Sequence, residues 1–196
     1  MLKSGFLFGN IRGLYPKTNR TKVDYLSDSA FIEGTNIVCL TESHLSDEIK
    51  DCEVKILGYD IHRSDRVRTS HGGVVIYTKT ELKAIKLNEW NNSQCEVVSV
   101  LIKDLKVLII CIYRPPVSGT TDTFEEVIDT LQLIIDDNAN DNQIVVCGDL
   151  NFPFVQWPDG NFNGRGSSND REKCQADMFL NFSESNGLTN IIREPT

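Results

Sequence analysis

Apolar residues along this chain fall into short runs rich in β-branched side chains, which is the pattern of buried strands. Such runs predict strands at residues 5–10, 36–42, 74–78, 96–103, 106–113 and 144–149, and residues 59–66 are predicted as a polar strand. Residues 107–112 are apolar at every position, so both faces of that strand should be buried. A strand of this kind fits a sheet that packs against a second sheet and is also covered by helices.

Other segments have the helical period. Apolar residues at i, i+3, i+4 and i+7 between Phe124 and Ile135 indicate a helix that starts at Thr123, with Thr123 as its N-cap. Helices are also predicted at about 21–33 and 170–186, and a loop rich in Gly, Asn and Ser is predicted at 158–169. We therefore expect an α/β fold that forms a single domain over residues 1–196.

The composition is that of a globular protein, with 40% hydrophobic and 24% charged residues. No apolar run is long enough to span a bilayer, and the N-terminus lacks the apolar region of a signal peptide. We expect an intracellular protein of the nucleus or cytoplasm that is not secreted. The six cysteines include no C-x-x-C pair. They are predicted to be small buried residues in a reducing compartment, and not a disulfide or zinc framework.

The formal net charge of −8 argues at first against a nucleic-acid partner. The charge is unevenly distributed, however, because residues 120–150 hold eight acids and no Lys or Arg. Residues 1–35 carry five basic and three acidic groups, and residues 63–86 carry six and two. Basic loops therefore remain available for a phosphate backbone.

Polar residues directly follow several predicted strands. Asp149 and Asn151 come after an apolar run and Gly148, and their spacing puts both side chains on one face of an extended chain. Glu42 ends the predicted strand 36–42, and Asn10 ends the first strand. Carboxylates and amides at strand ends suit the binding of a hard cation and a phosphate oxygen. Each of these residues would also serve as an ordinary turn or cap residue, and the local pattern leaves both interpretations open.

Five ordered motifs carry a resemblance to a known family: GNIRGL at 9–14, IVCLTE at 37–42, GGVVIY at 72–77, IYRPP at 112–116 and GDLNF at 148–152. Together they resemble the endonuclease/exonuclease/phosphatase superfamily, and more narrowly the apurinic-endonuclease-like domain of non-LTR retrotransposons. The resemblance implies a four-layer α-β-β-α sandwich of two packed mixed sheets (DNase I-like) that lacks its last strands.

The resemblance also implies roles for individual residues. Glu42, with help from Asn10, would hold Mg²⁺ or Mn²⁺. Asp149 would orient or deprotonate the attacking water, and Asn151 and Tyr113 would hold the phosphate. Contacts with DNA are expected from basic side chains near the motifs, namely Arg12, Arg66, Arg68 and Arg114. His44 is not expected to be catalytic. The implied partners are DNA and a reverse transcriptase on the same polyprotein, and the protein is expected to be a monomer.

Members of this superfamily close the active site with a further Asp and a C-terminal Asp-His pair, which are not found after Asn151. The expectation from the sequence is therefore a C-terminally incomplete, inactive domain. Three alternatives stay open: another superfamily phosphoesterase such as a phosphatase, sphingomyelinase or deadenylase; a catalytically dead remnant that at most binds nucleic acid; and a protein-binding domain that kept only the scaffold.

Overall fold

The computed structural model of the chain describes residues 5–15, 22–28, 34–67, 71–91, 95–116, 121–138, 142–153, 155–156, 161–162 and 170–191. Its strands are β1 (Gly5–Asn10), β2 (Thr35–Thr41), β3 (Tyr59–Ser64), β4 (Val74–Lys79), β5 (Ile85–Asn91), β6 (Glu96–Ile102), β7 (Val107–Tyr113), β8 (Gln143–Asp149), β9 (Val155–Gln156) and β10 (Asn161–Phe162). Its helices are α1 (Lys22–Asp28), α2 (Thr121–Asn138) and α3 (Asp170–Ser185).

The eight longer strands form two four-stranded mixed sheets. The first has the order β1-β2-β4-β3, in which β1 and β2 are parallel and the other pairs are antiparallel. The second has the order β5-β6-β7-β8, in which only β7 and β8 are parallel. Strands β9 and β10 form a separate antiparallel pair.

Side chains alternate between the two faces of each sheet, and both faces of the central strands are buried. In β7, Ile109 and Cys111 point into the core between the sheets, whereas Ile110 and Ile112 point outward to the cluster formed with α2 and α3. Helix α1 contributes Val23 to the cluster on the outer face of the first sheet. The predicted four-layer α-β-β-α sandwich is therefore confirmed. Within the described ranges, no helix has both the length and the apolar composition that a membrane crossing requires.

Several local predictions were wrong. Helix α2 begins at Thr121, so Thr123 lies inside the helix and is not its N-cap. The exposed edge strand β5 was not predicted, because a register shift between Lys86 and Asn88 breaks its alternation. Strand β10 lies within the predicted loop 158–169. All six cysteines are free as expected, but Cys52 and Cys174 are exposed and not buried.

The topology brings one end of every long strand to the same end of the sandwich. Strands β1, β2, β7 and β8 finish there, at Asn10, Thr41, Tyr113 and Asp149. Strand β6 is antiparallel to β7 and therefore begins at this end, where Glu96 is the register partner of Tyr113. Because side chains two positions apart in a strand share a face, the apolar interior leads directly into polar residues at this end.

Candidate active site

A layer of polar side chains closes the inter-sheet core at that end of the sandwich. Asn10 follows Phe8 by two positions, Tyr113 follows Cys111, and Asp149 follows Cys147, and these three predecessors lie in or against the inter-sheet core. Glu96, the first residue of β6, belongs to this layer, and so does Arg66, which follows β3 by two residues and pairs with Glu96. We call the set Asn10, Arg66, Glu96, Tyr113 and Asp149 the polar layer.

Two carboxylates converge on one amide within this region. Asn10 Nδ2 donates to Glu42 Oε1 at 2.8 Å and to Asp149 Oδ2 at 3.3 Å. Glu42 comes from the turn after β2 and Asp149 from the end of β8, so each sheet supplies one acid. Glu42 and Asp149 therefore converge on Asn10, and their contacts lie at the open surface of the sandwich.

The backbone around Glu42 is held in a strained conformation. Glu42 and Arg12 have φ values of 54° and 47°, in the left-handed region that side chains with a Cβ seldom adopt. The carbonyl of Glu42 accepts a hydrogen bond from Gly13 N at 2.7 Å, and Asn10 Oδ1 accepts one from Arg12 N at 3.1 Å. These bonds stabilise the turn, and left-handed residues of this kind cluster at functional sites.

Tyr113 presents its hydroxyl to the same carboxylate. Its OH donates to Glu42 Oε1 at 3.1 Å, while its ring is buried in the inter-sheet core. Burial and then the negative charge of Glu42 raise the pKa of the Tyr113 phenol well above its ordinary value. The phenol is therefore protonated at neutral pH, and its one hydrogen is donated to Glu42 in this structure.

A tight turn presents Asp149 and Asn151. Gly148 has a φ of 149°, and a Cβ placed on it would lie 1.8 Å from the Ile112 carbonyl oxygen, so the close approach of β8 to β7 requires glycine. Asn151 has a φ of 50°, and its N–H donates to Asp149 Oδ1 at 3.0 Å. The Asn151 amide donates to the Arg114 carbonyl at 2.7 Å, and its nitrogen carries a second hydrogen for a ligand.

The donor set of the site fits a hard divalent cation. Glu42 and Asp149 supply carboxylate oxygens at an open surface, and Mg²⁺ is commonly held by one or two carboxylates together with waters and substrate phosphates. No cluster of three or more His, Cys, Asp or Glu side chains suited to a metal ion occurs in the part of the chain that the structure describes. With Glu42 and Asp149 as the available carboxylates, a cation here would keep open positions for water and substrate.

The predicted contact of Arg114 with DNA is corrected by the structure, because this side chain is fully buried. Its guanidinium donates to the carbonyls of Leu150 and Asn151 at 3.0 and 3.3 Å and to Gln175 Oε1 at 2.7 Å. It also lies 4.4 Å from the ring centroid of Phe152. Arg114 thus ties the turn that carries Asp149 and Asn151 to helix α3, and it has no surface for a nucleic acid.

Arg66 also lies further inside than predicted. Its side chain is only 13% exposed, and its guanidinium is paired with Glu96, which is completely buried. Arg12, in contrast, is exposed beside Asn10, as a contact with DNA would require. Arg68 lies outside the described residues. Nothing in the local sequence indicated that Glu96 and Gln175 would be the buried partners of the two arginines.

His44, which the sequence interpretation set aside, lies beside the site. Its Nε2 is 3.8 Å from Glu42 Oε2, and its ring meets that of His71 edge-on at 4.9 Å between centroids. Burial and the neighbouring His71 lower the pKa of His44, and the charge of Glu42 opposes them. The sequence signal for the proximity of His44 to Glu42 was that His44 follows Glu42 by two residues. In the structure, His44 also has a positive φ of 53°.

The sequence matches the Endonuclease/Exonuclease/phosphatase family over residues 9–191. The chain belongs to this family. The matched range contains all of the candidate residues from Asn10 to Asn151, and the fold of this endonuclease/exonuclease/phosphatase domain agrees with the resemblance described above. Among proteins of curated function, none matches the chain significantly.

Solved structures with a similar fold include three nucleic-acid enzymes. The endonuclease domain of TRAS1, a telomere-specific non-LTR retrotransposon, matches at a TM-score of 0.59 and 14% identity, over 97% of this chain and 75% of that chain. The AP endonuclease LMAP from Leishmania major matches at 0.57 and 13% identity, over 92% and 66%. The 3′ phosphatase NExo from Neisseria, bound to product DNA hairpin, matches at 0.55 and 13% identity, over 91% and 69%.

At these identities the similarity shows the fold of the endonuclease/exonuclease/phosphatase domain and not its substrate. The chain spans 66% of the length of the Leishmania enzyme and 61% of that of truncated Caenorhabditis elegans TDP2.

Proposed function

We propose that this chain is the catalytic region of a metal-dependent phosphodiesterase that nicks DNA, as the endonuclease domain of a non-LTR retrotransposon. The observation that carries the proposal is the convergence of Glu42 and Asp149 on Asn10, beside the protonated phenol of Tyr113. Family membership supports phosphate-ester hydrolysis. The GNIRGL and YRPP motifs and the shared fold with the TRAS1 domain support the retrotransposon assignment.

Glu42 and Asn10 are the residues that would hold Mg²⁺ or Mn²⁺, and the cation would offset charge on the scissile phosphate and the leaving oxygen. Asp149 is oriented by two donors, Asn151 N and Asn10 Nδ2, and its carboxylate can align a water molecule and accept a proton from it. Asn151 would present its second N–H to a phosphate oxygen, and Tyr113 would do the same with its O–H after a rotation away from Glu42. Because the backbone already fixes the Asn151 donor, it would need little rearrangement during the reaction.

The proposal extends to the partners of the domain. Arg12 and Arg68 would contact the DNA backbone from the basic segments 1–35 and 63–86, which limits the effect of the overall negative charge. In the parent element, the domain would belong to a polyprotein that also carries a reverse transcriptase. We further propose that the domain is a monomer and works inside the cell, in the nucleus or cytoplasm.

A supercoiled-plasmid nicking assay with Mg²⁺ or Mn²⁺ tests the proposal. The chain is assayed alone and also fused to the C-terminal Asp and Asp-His elements of a relative. From the fused form we expect nicked circles, which Glu42→Gln and Asp149→Asn reduce by at least about 100-fold. Glu125→Gln, which changes an exposed acid on α2, is the matched control and should leave the rate unchanged.

Absence of nicking in both forms, or nicking that survives Glu42→Gln, would overturn the proposal. A 3′-phosphorylated oligonucleotide is assayed in parallel. Release of inorganic phosphate from it without plasmid nicking would assign a phosphatase activity to the same residues instead.

A further inference from the structure

Arg66 and Glu96 form a buried ion pair directly behind Tyr113. Arg66 Nε bonds to Glu96 Oε1, and the Glu96 side chain has no exposed surface. Glu96 is the register partner of Tyr113 across β6 and β7, on the same face of the sheet. The guanidinium carbon of Arg66 lies 5.9 Å from the centroid of the Tyr113 ring, within the range of a cation–π contact.

The Gly72-Gly73 pair shapes the space in which this ion pair lies. A Cβ on Gly72 would come within 3.0 Å of Arg66 Cδ and Nε and within 3.1 Å of Glu96 Oε2. Gly73 N donates to Glu96 Oε2 at 3.0 Å, so the carboxylate is held by the backbone on one side and by the guanidinium on the other. A side chain at position 72 would require Arg66 or Glu96 to shift by a few tenths of an ångström.

We propose that Arg66 is a positioning residue for Tyr113: held by Glu96 across the Gly72-Gly73 backbone, its guanidinium fixes the ring whose hydroxyl faces the phosphate site. The consequence of this role for DNA rests on the proposed function. It differs from the direct DNA contact expected from the sequence, because a side chain engaged with a buried carboxylate and 13% exposed has little surface to offer a phosphate.

The orientation of Tyr113 is measured first, in the full chain and without DNA or metal. Aromatic ¹³C–¹H NMR spectra are recorded for the wild type, Arg66→Lys and Arg12→Lys, with Tyr113→Phe used to assign the ring signal. Arg66→Lys retains a charge for Glu96 but loses the planar group over the ring. We expect the Tyr113 signal to shift or broaden in Arg66→Lys only, while the signal of Tyr77, which bonds to the Val54 carbonyl, stays in place.

A second variant tests whether a change in the Tyr113 signal arises only because the fold is loosened. Arg66→Met with Glu96→Gln removes both charges together and so avoids an unpaired buried carboxylate. The variant should keep a cooperative thermal transition and still alter the Tyr113 signal. An unchanged Tyr113 signal in both Arg66 variants would overturn the positioning role.

A double-mutant cycle on affinity for duplex DNA then separates positioning from direct contact. Arg66→Lys should weaken binding about three- to tenfold in the wild type and have little effect in Tyr113→Phe, because the two residues act through one hydrogen bond. An equal loss in both backgrounds would show that Arg66 contacts DNA by itself and would refute the inference. If the wild type neither binds nor nicks DNA, the proposed function fails, and the NMR result still decides the role of Arg66.

Discussion

Glu42 and Asp149 come from different sheets and yet accept hydrogen bonds from the same nitrogen atom, Nδ2 of Asn10. Two like charges that share one neutral donor repel each other, and a divalent cation held by Glu42 would relieve that repulsion. We therefore expect the stability of the folded domain to depend on a divalent cation, if the cation binds as proposed.

Mn²⁺ or Mg²⁺ is expected to raise the melting temperature. At 100 times the dissociation constant, a ligand that binds only the folded state adds about 2.7 kcal/mol. For a domain of this size, that free energy corresponds to a rise of roughly 5–10 °C, measured by differential scanning calorimetry against EDTA. Glu42→Gln should lose most of the rise and Glu125→Gln should keep it. The same rise in Glu42→Gln would place the cation elsewhere.

Gly148→Ala is expected to destabilise the domain by at least about 3 kcal/mol, because the new methyl group would overlap the Ile112 carbonyl and force a strained φ. Urea denaturation followed by circular dichroism measures the loss. Gly9→Ala in β1 is the matched control, since its Cβ would meet nothing within 4 Å. Equal stability of the two variants would contradict the tight approach of β8 to β7.

Arg114→Lys is expected to cost about 2 kcal/mol or more in the free energy of unfolding. Lysine keeps the charge but cannot donate at once to the carbonyls of the 150–151 turn and to Gln175 in the planar geometry of the guanidinium. The exposed Arg12→Lys serves as the control in the same urea titration. A loss no larger than that of Arg12→Lys would show that the buried network contributes little to stability.

Stability should fall as the pH drops below about 6.5, in part through His62. This side chain is buried and lies 3.2 Å from Thr78 Oγ1 through Nε2. Burial lowers the pKa of His62, Asp60 opposes that shift and Lys86 adds to it. The pKa of His62 is lower in the folded state than in the unfolded state. The stabilisation that neutral His62 contributes is therefore complete above the unfolded pKa of about 6.5. It is lost as the pH falls through the folded pKa.

The measurement is the free energy of unfolding at pH values from 7.5 to 5. His62→Gln cannot titrate in this range and keeps a donor for Thr78, so its profile should be flatter than that of the wild type. Each unit by which the folded pKa is lowered contributes about 1.4 kcal/mol. Parallel profiles would exclude His62 as the source.

Arg12→Gln is expected to weaken binding to duplex DNA uniformly across sequences. The slope of log K against log salt should become shallower by about 1, because one phosphate contact is lost. Lys103→Gln is the matched control, since it removes an exposed positive charge at the opposite end of β6. An unchanged slope in Arg12→Gln would remove this residue from the DNA surface.

The long strands other than β5 and the strand-end acids could be predicted from the sequence, because both depend on local pattern. An uninterrupted apolar run such as that in β7 has no stable place except between two layers. A carboxylate at the end of such a run, as at Asp149, must lie at the rim of the sheet. The convergence of Asp149 with Glu42 came from the family motifs, since no local pattern relates two strands in different sheets.

The positions of Arg66 and Arg114 could not be read from the chain. A charged residue in a loop is normally solvated, and only the partners supplied by distant strands and helices make burial favourable. Those partners are Glu96 and Gln175, whose local sequences resemble ordinary strand and helix positions. The end of the sandwich that holds the candidate site could therefore be predicted, but Arg66 and Arg114 were wrongly expected at the surface.

Because the candidate active site lies at one end of the sandwich, the opposite end is a place for attaching a probe. The turn at Lys103–Leu105 joins β6 to β7 there and is exposed. The seven residues of β7 separate it from Tyr113, a distance of roughly 20 Å. A dye or surface anchor at this turn would hold single molecules with Asn10 and Asp149 facing the solution, so that binding of a long DNA could be watched without obstruction.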